Sequence, residues 1–426
     1  MRQIQRDFYL NELIARKENG LIKVITGIRR CGKSYLLFKI YYDYLLSLGI
    51  NKDNIIALSL DDDASSEYRD PKRLSQYIRD KLTNNADMHY IFIDEIQYAI
   101  AKEDLKSEKP LPLYGVLNGL MKLDNVDIYV TGSNSKLLSK DVLTEFRGRG
   151  DEVRIYPLTF KEYYTYLGGD KADAYEDYAL YGGLPLVLAK TSPIEKEKYL
   201  ASLFKEVYLK DIEERYNIAK PQVMAGLIDD LCSSIGSLTN ASKIAKTLNS
   251  LGEVEVNSQT IATYLNYLEE SFLFNEAKRY DVKGKKYFSF PSKFYCSDLG
   301  LRNARLSFRQ HEEGHAMENI IYYELLSRGY SVDVGVVQLN EKDQTGKLCQ
   351  VQTEIDFVVN AGMNKYYIQV SLNNDSLERE LRPLLATNDF FKRIIVTKSR
   401  QKPWVDESGI LHMGLYDFLL DEQCIK

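Results

Sequence analysis

The sequence predicts an α/β protein whose first part is a parallel sheet with helices around it. Three observations predict this. Short apolar runs recur at residues 21–26, 54–60, 90–94 and 126–131, with helical stretches between them. Such alternation of strand and helix builds a parallel sheet. The first run leads through the loop Gly27-Ile28-Arg29-Arg30-Cys31-Gly32-Lys33-Ser34 into residues 34–41, which read as a helix. The third and fourth runs end in polar residues, Asp94-Glu95 and Gly132-Ser133-Asn134-Ser135.

The loop matches the phosphate-binding pattern G-x-x-x-x-G-K-[ST] at every fixed position, and strand, loop, helix is the setting that pattern needs. Its glycines let backbone N–H groups wrap phosphates, and the helix N-terminus adds partial positive charge. Residues Gly27, Ile28, Arg29, Arg30, Cys31, Gly32, Lys33, Ser34 and Tyr35 are therefore the expected ATP-binding set. Lys33 is expected to reach the β- and γ-phosphates, and Ser34 to ligate Mg²⁺. Cys31 inside the loop is read first as a buried thiol, with oxidation that blocks nucleotide binding as the second reading.

The strand ending in Asp94-Glu95 supplies the second half of such a site. Asp94 is the expected Mg²⁺-associated carboxylate, acting mostly through water. Glu95 is the expected general base that polarises the attacking water. At the end of the fourth strand, Ser133 and Asn134 are candidates to touch the γ-phosphate or that water; Asn134 also suits plain turn chemistry. In Phe146-Arg147-Gly148-Arg149-Gly150, Arg149 is the first choice and Arg147 the second for an arginine supplied in trans, which implies a homo-oligomer. The competing reading is a solvated basic loop.

These segments together, G-I-R-R-C-G-K-S, I-F-I-D-E-I-Q, T-G-S-N-S, and F-R-G-R followed by residues 156–163, resemble a prokaryotic AAA-type ATPase family. That family is related to the archaeal-type ATPases and carries a C-terminal domain of unknown function. Tyr181-Gly182-Gly183-Leu184-Pro185 and Tyr208-Leu209-Lys210-Asp211-Ile212 are similar to its landmarks. The resemblance is specific up to about Arg215 and weaker beyond. It implies ATP hydrolysis and an α/β nucleotide domain, and no physiological task.

Four domains are expected: a P-loop ATPase core over 1–158, a helical lid over 159–215, a winged-helix-like domain over 216–295 and a restriction-endonuclease-like α/β domain over 296–426. The third rests on helices near 225–231, 239–248 and 257–268, then a hairpin from Leu273 to Phe290 turning at Lys283-Gly284-Lys285. Ser258, Gln259 and Thr263 are candidates for groove contact, and Lys283, Lys285 and Lys286 for phosphates. Acidic Glu253, Glu255, Glu269 and Glu270 weaken the case for DNA. The last segment, a helix over 318–325 followed by strands over 332–339, 353–359 and 365–371, resembles the restriction-endonuclease-like fold, and Glu318 and Asp356 fall where that fold's helix acid and first strand acid belong. The (D/E)-x-K signature is replaced by Gln369-Val370-Ser371, which removes an acid and an ammonium together. An inactive nuclease fold is expected, with Lys365 as the alternative source of the missing ammonium.

Composition adds exclusions. At 426 residues the chain exceeds one ordinary core. Its net charge of −5 leaves any nucleic-acid contact to a local patch. No run approaches membrane-spanning length and no signal peptide is evident, so a cytoplasmic protein without membrane partners is expected. Five scattered cysteines without C-x-x-C favour a reducing compartment. Asp61-Asp62-Asp63 reads as a solvated loop. His311 and His315, four apart, lack a third ligand. The reading with most support is an Mg²⁺-dependent ATPase acting on or with DNA. An ATP-gated nuclease and a nucleotide-switched scaffold are the alternatives.

Overall fold

The computed structural model describes residues 3–82, 87–101, 104, 111–133, 150–250, 255–288, 291–310, 312–342, 348–372, 377–399 and 401–425. The chain divides into two compact units, Gln3–Tyr156 with Glu270–Phe272, and Pro157–Glu269 with Leu273–Lys426.

The first unit is built on five strands: β1 (Ile22–Thr26), β2 (Ile55–Ser59), β3 (His89–Asp94), β4 (Val126–Thr131) and β5 (Gly150–Arg154). They lie in the order β2-β3-β4-β1-β5, every pairing parallel. β1 and β3 are buried at every position, as expected for strands covered on both faces. Leu74 and Ile78 of the helix Pro71–Lys81 pack with Leu117, Ile91 and Val130 in the core. That helix starts where Asp70 accepts the N–H groups of Lys72 and Arg73, with proline at its first position. Inside the sheet, β1 and β4 are also joined by an ion pair, Lys23 with Asp127, both side chains almost fully buried. Tyr129 Oη donates to the same carboxylate at 2.8 Å, and the Glu18 N–H at 2.9 Å.

Register places the carboxyl ends of four strands side by side. Ser59 is opposite Asp94, and Ile25 opposite Thr131, so the chain leaves β1 for the glycine loop beside the ends of β3 and β4. Ligands of open α/β sheets bind at this edge.

The second unit opens with helices Phe160–Leu167, Lys171–Tyr181 and Pro193–Leu203. The first is closed by a capping box between Thr159 and Glu162. Helix Pro221–Ser233, strand β6 (Leu238–Thr239), and helices Ala241–Ser250 and Ser258–Glu270 come next. Asn240 accepts from the N–H groups of Ser242 and Lys243 and so caps the second of these helices, while Thr239 belongs to β6.

The following hairpin differs from expectation. β7 (Phe274–Ala277) pairs not with residues 286–288 but with β10 (Ser292–Cys296), in a three-stranded antiparallel sheet β6-β10-β7. β8 (Arg279–Asp281) and β9 (Lys286–Tyr287) pair with each other and join a separate eight-stranded sheet. The reason is Val282, which is buried in the core of that larger sheet beside Val337 and Ile355.

The larger sheet also contains β11 (Ser331–Lys342), β12 (Leu348–Ala361), β13 (Asn364–Ser371), β14 (Lys392–Thr397), β15 (Trp404–Val405) and β16 (Ile410–Gly414), in the order β15-β16-β14-β13-β12-β11-β8-β9. β11, β12 and β13 are antiparallel neighbours, whereas β13, β14 and β16 run parallel. Helix Glu313–Ser327 precedes β11, and helix Leu377–Leu385 lies between β13 and β14.

The short helix Leu299–Arg305 ties this unit together. Asp298 caps it through the Leu301 N–H and accepts the Gly183 N–H at 2.7 Å. Arg302 donates to the Cys232 carbonyl at 2.7 Å. Gly182 has φ +76, and a side chain there would collide with Asp298. The Tyr181-Gly182-Gly183 landmark is thus explained by packing. Among the described residues no helix is long and apolar enough to cross a membrane.

Candidate nucleotide site

The glycine loop leaves β1 with Gly27 at φ +141, where an added Cβ would run into the Ile155 carbonyl. Only glycine fits this close approach. Arg30 and Gly32 also have positive φ, which curls the loop over the start of the next helix. That helix runs on continuously through Lys33–Tyr35, a π-helical turn Leu36–Tyr41 and Tyr42–Ser47. Lys33 is buried and donates to the carbonyls of Gly27 and Ile28 at 2.9 and 3.0 Å. Its ammonium is therefore held across the mouth of the loop. Cys31 is buried, its Sγ 3.7 Å from the Ile155 carbonyl. Tyr35 and Arg30 face solvent.

Ser34 Oγ donates to Asp94 Oδ1 at 3.0 Å, so the two expected metal-associated residues meet. Thr131 Oγ1 donates to the same carboxylate oxygen and accepts the Glu95 N–H at 3.1 Å. One hydroxyl at the end of β4 thereby positions both acids at the end of β3. Ser59 Oγ reaches Asp61 Oδ1 at 2.6 Å and Asp94 Oδ2 at 3.4 Å, which brings the first acid of the triplet to the site edge. Burial raises the Asp94 carboxyl above its ordinary range; the Thr131 and Ser34 hydroxyls pull it back, while Glu95 and Asp61 add to the rise.

Glu95 sits at φ 49, ψ 51, in the left-handed region. For a non-glycine residue that conformation costs about 1–2 kcal/mol. Its carboxylate is tethered by Gln97 Nε2 and by Ser133 Oγ at 3.4 Å. Arg29 Nε of the glycine loop donates to Ser133 Oγ at 3.2 Å. A polar chain thus links the loop to the candidate base.

Sequence reasoning named Ser133 and missed Thr131, Ser59 and Gln97. A hydroxyl residue closing the strand next to the acidic strand was the available signal for Thr131. Asn134, Arg147 and Arg149 lie outside the described residues.

The site's chemistry fits nucleotide and Mg²⁺. The loop is a cradle that a single Cβ at Gly27 would disrupt. The ligands at hand are hydroxyl and carboxylate oxygens, the donor set of a hard cation. Among the described residues no group of three or more His, Cys, Asp or Glu is arranged to hold a metal ion.

A second polar cluster lies in the other unit. Lys293 Nζ is 3.0 Å from Glu318 Oε1, and 3.7 Å from both Glu354 Oε2 and Asp356 Oδ1. Glu318 and Asp356 thus both lie within reach of one ammonium. The nearby ammonium comes from Lys293, which sequence reasoning missed. Lys365 stacks over the rings of Tyr280 and Phe391 instead. Gln369 accepts the Asp356 N–H and donates to Glu380 Oε2 at 2.6 Å. Burial and the charge of Glu318 raise the Asp356 carboxyl above its ordinary range, while the Lys293 ammonium and the Val370 N–H pull it back down.

Fold and site together define an AAA-type P-loop nucleotide domain. Residues 19–164 match the family model of an AAA domain, and residues 172–312 match that of a domain of unknown function. An uncharacterized protein of Haemophilus influenzae is 35% identical over 423 residues, covering 98% of both chains. The chain belongs to the same family as that protein. An uncharacterized protein of Methanocaldococcus jannaschii is 28% identical over 382 residues, covering 85% of this chain and 77% of that protein. Among solved structures, the Walker-type ATPase of Pyrococcus abyssi is similar with a TM-score of 0.49 at 16% identity, covering 71% of this chain and 96% of that one. Cdc6p of Pyrobaculum aerophilum follows at 0.30 and 10% identity, covering 76% and 96%. Likenesses this distant carry no weight for function.

Proposed function

We propose that the chain is an Mg²⁺-dependent ATPase that couples ATP binding and hydrolysis to a conformational change, acting on or with DNA. The observation that supports this best is the convergence of Ser34, Asp94, Thr131 and Glu95 at the carboxyl ends of β1, β3 and β4. Residues 27–35 hold the phosphates, with Lys33 exchanging its two loop carbonyls for β- and γ-phosphate oxygens. Ser34 and Asp94 hold Mg²⁺, which supplies charge neutralisation on the phosphates. Glu95, aimed by Gln97 and Ser133, accepts a proton from water as the water oxygen bonds to the γ-phosphorus and the bond to the leaving ADP oxygen breaks. Asn134 is proposed to orient that water. Arg149, or Arg147, is proposed to neutralise transition-state charge from a neighbouring subunit of a homo-oligomer.

The division into core (1–158), helical lid (159–215), winged helix (216–295) and nuclease-like domain (296–426) is part of this proposal, except that β8 and β9, within 216–295, belong to the sheet of the last domain. Helix, β6, two helices, then β7 and β10 follow winged-helix order. Ser258 and Gln259 are exposed, as are Lys283 and Lys285 at the turn between β8 and β9 and Lys286 at the start of β9. Thr263 spends its hydroxyl on the Gln259 carbonyl. Helix Glu313–Ser327, β11, β12, β13, helix Leu377–Leu385 and β14 run in the order of a nuclease scaffold, one in which Gln369 and Ser371 stand where an acid and a lysine would work.

The test is phosphate release by protein of measured oligomeric state, with and without duplex or single-stranded DNA at low salt. Turnover that DNA changes supports the reading. DNA that neither binds nor alters the rate removes the DNA part and leaves the ATPase part standing.

A further inference from the structure

The carboxylate cluster around Lys293 draws on five elements of the second unit. Lys293 and Tyr295 alternate on β10, so period two puts both on one face. Both reach the same oxygen of Glu318, on helix Glu313–Ser327, at 3.0 and 2.6 Å. Glu354 and Asp356 are likewise two apart on β12 and share a face. Arg279 of β8 meets Glu354 Oε1 at 3.1 Å. Asp356 Oδ2 also accepts the Val370 N–H of β13 at 2.9 Å.

Three donors on one ammonium face three carboxylates. Lys293 therefore stands where a divalent cation bound by Glu318 and Asp356 would stand. The side chains of Lys293, Glu318 and Asp356 are only 8%, 12% and 13% exposed. A phosphodiester backbone has little access to such a cluster. Gln369, where a further metal ligand would project, is engaged with Glu380 instead.

We propose that Lys293 is the built-in cation of this site: its ammonium takes the place of a divalent metal and clasps the three-stranded sheet to helix Glu313–Ser327 and β12. As they stand around Lys293 these carboxylates are not arranged to hold a metal; removing the ammonium lets Glu318, Glu354 and Asp356 close on a divalent cation. The inference rests on the reading of residues 296–426 as a nuclease scaffold without cutting chemistry, and it adds why that scaffold holds together without metal.

The test is thermal unfolding of the full chain in EDTA and in Mn²⁺, without nucleotide, for wild type, Lys293→Met and Lys293→Met/Glu318→Gln. Wild type is expected to melt at the same temperature in both. Lys293→Met is expected to melt on the order of 10 °C lower in EDTA, as for a broken buried ion pair. Mn²⁺ is expected to restore most of that loss. The double variant, with less uncompensated charge, is expected to melt above the single variant in EDTA and to lose the Mn²⁺ response. If Lys293→Met does not fold in EDTA, folding of the double variant there, or of the single variant in Mn²⁺, supports the proposal; failure of both overturns it. The proposal also falls if wild type shows an Mn²⁺ shift that Glu318→Gln abolishes. It falls equally if Lys293→Met is as stable as wild type, or is destabilised without any response to Mn²⁺. Plasmid cleavage by wild type in Mn²⁺, lost in Asp356→Ala, overturns the inactive-scaffold reading as well. No cleavage together with no Mn²⁺ response in Lys293→Met overturns this inference alone.

Discussion

Replacing Glu95 with glutamine separates binding from chemistry. The substitution keeps the length and shape of the side chain. An amide oxygen can still accept from Gln97 Nε2 and Ser133 Oγ, so the local geometry is retained. What is lost is the capacity to take a proton from water. A general base contributes about 10²–10⁴-fold to a rate, which is ~3–5 kcal/mol of barrier. Lys33, Ser34 and Asp94 are untouched, and neither loop carbonyl paired with Lys33 moves. Affinity for ATP is then expected to stay within about threefold, under ~1 kcal/mol. The assay pairs phosphate release under saturating Mg²⁺–ATP with equilibrium binding of a fluorescent ATP analogue. The expected result is wild-type binding with turnover down at least about 100-fold. Turnover at the wild-type rate would refute Glu95 as the base. A matching loss of binding would show that the carboxylate's role is structural.

Other substitutions probe the supports of the site and fold. Thr131→Val removes the hydroxyl shared by Asp94 and the Glu95 N–H, at a cost of about 1–3 kcal/mol in stability; the Mg²⁺ concentration needed for half-maximal turnover is expected to rise, and an unchanged Mg²⁺ titration would contradict that role. Asp127→Ala strands the buried Lys23 ammonium and is expected to destabilise the chain by ~3–5 kcal/mol, read by denaturant unfolding; a loss under about 1 kcal/mol would mean Lys23 finds another partner. Asp298 gives a pH signature. Burial raises its carboxyl to about 6, so the folded state favours the protonated form, and that stabilisation fades as pH rises through about 6. Between pH 5 and 7 wild type is expected to lose ~1 kcal/mol that Asp298→Asn does not. The asparagine variant, short of one acceptor, is expected to be less stable throughout, with a deficit that narrows toward pH 7; a constant deficit would contradict the shift.

The phosphate loop and the Asp94-Glu95 pair were legible because their chemistry is local. A loop that wraps phosphates needs its glycines and its lysine at fixed spacing, and an apolar strand ending in two acids is visible in six letters. What sequence could not show is what reaches those residues from elsewhere. Thr131 acts across neighbouring strands, and its role depends on the β3–β4 register. Gln97 matters because Glu95 turns into the left-handed region and brings the two side chains together. The pairing of β7 was misread for a related reason. Residues 273–290 look like a self-contained hairpin, yet Val282 has a deeper apolar site in another sheet, and β10 takes the vacated place beside β7. Lys293 was missed beside Asp356 because the lysine expected there was sought downstream, on β13. It comes instead from a strand before helix Glu313–Ser327. Long-range charge placement of this kind leaves no periodicity to read.

The most direct measurement is steady-state phosphate release by the purified full chain in Mg²⁺–ATP, in parallel with the same protein in EDTA and with Lys33→Ala in Mg²⁺. Lys33 bridges the Gly27 and Ile28 carbonyls at the mouth of the loop, so its loss removes the charge meant for the phosphates. The expected result is Mg²⁺-dependent turnover by wild type that falls to background both in EDTA and in Lys33→Ala. Wild-type turnover no higher than that of Lys33→Ala would contradict an ATPase at this site.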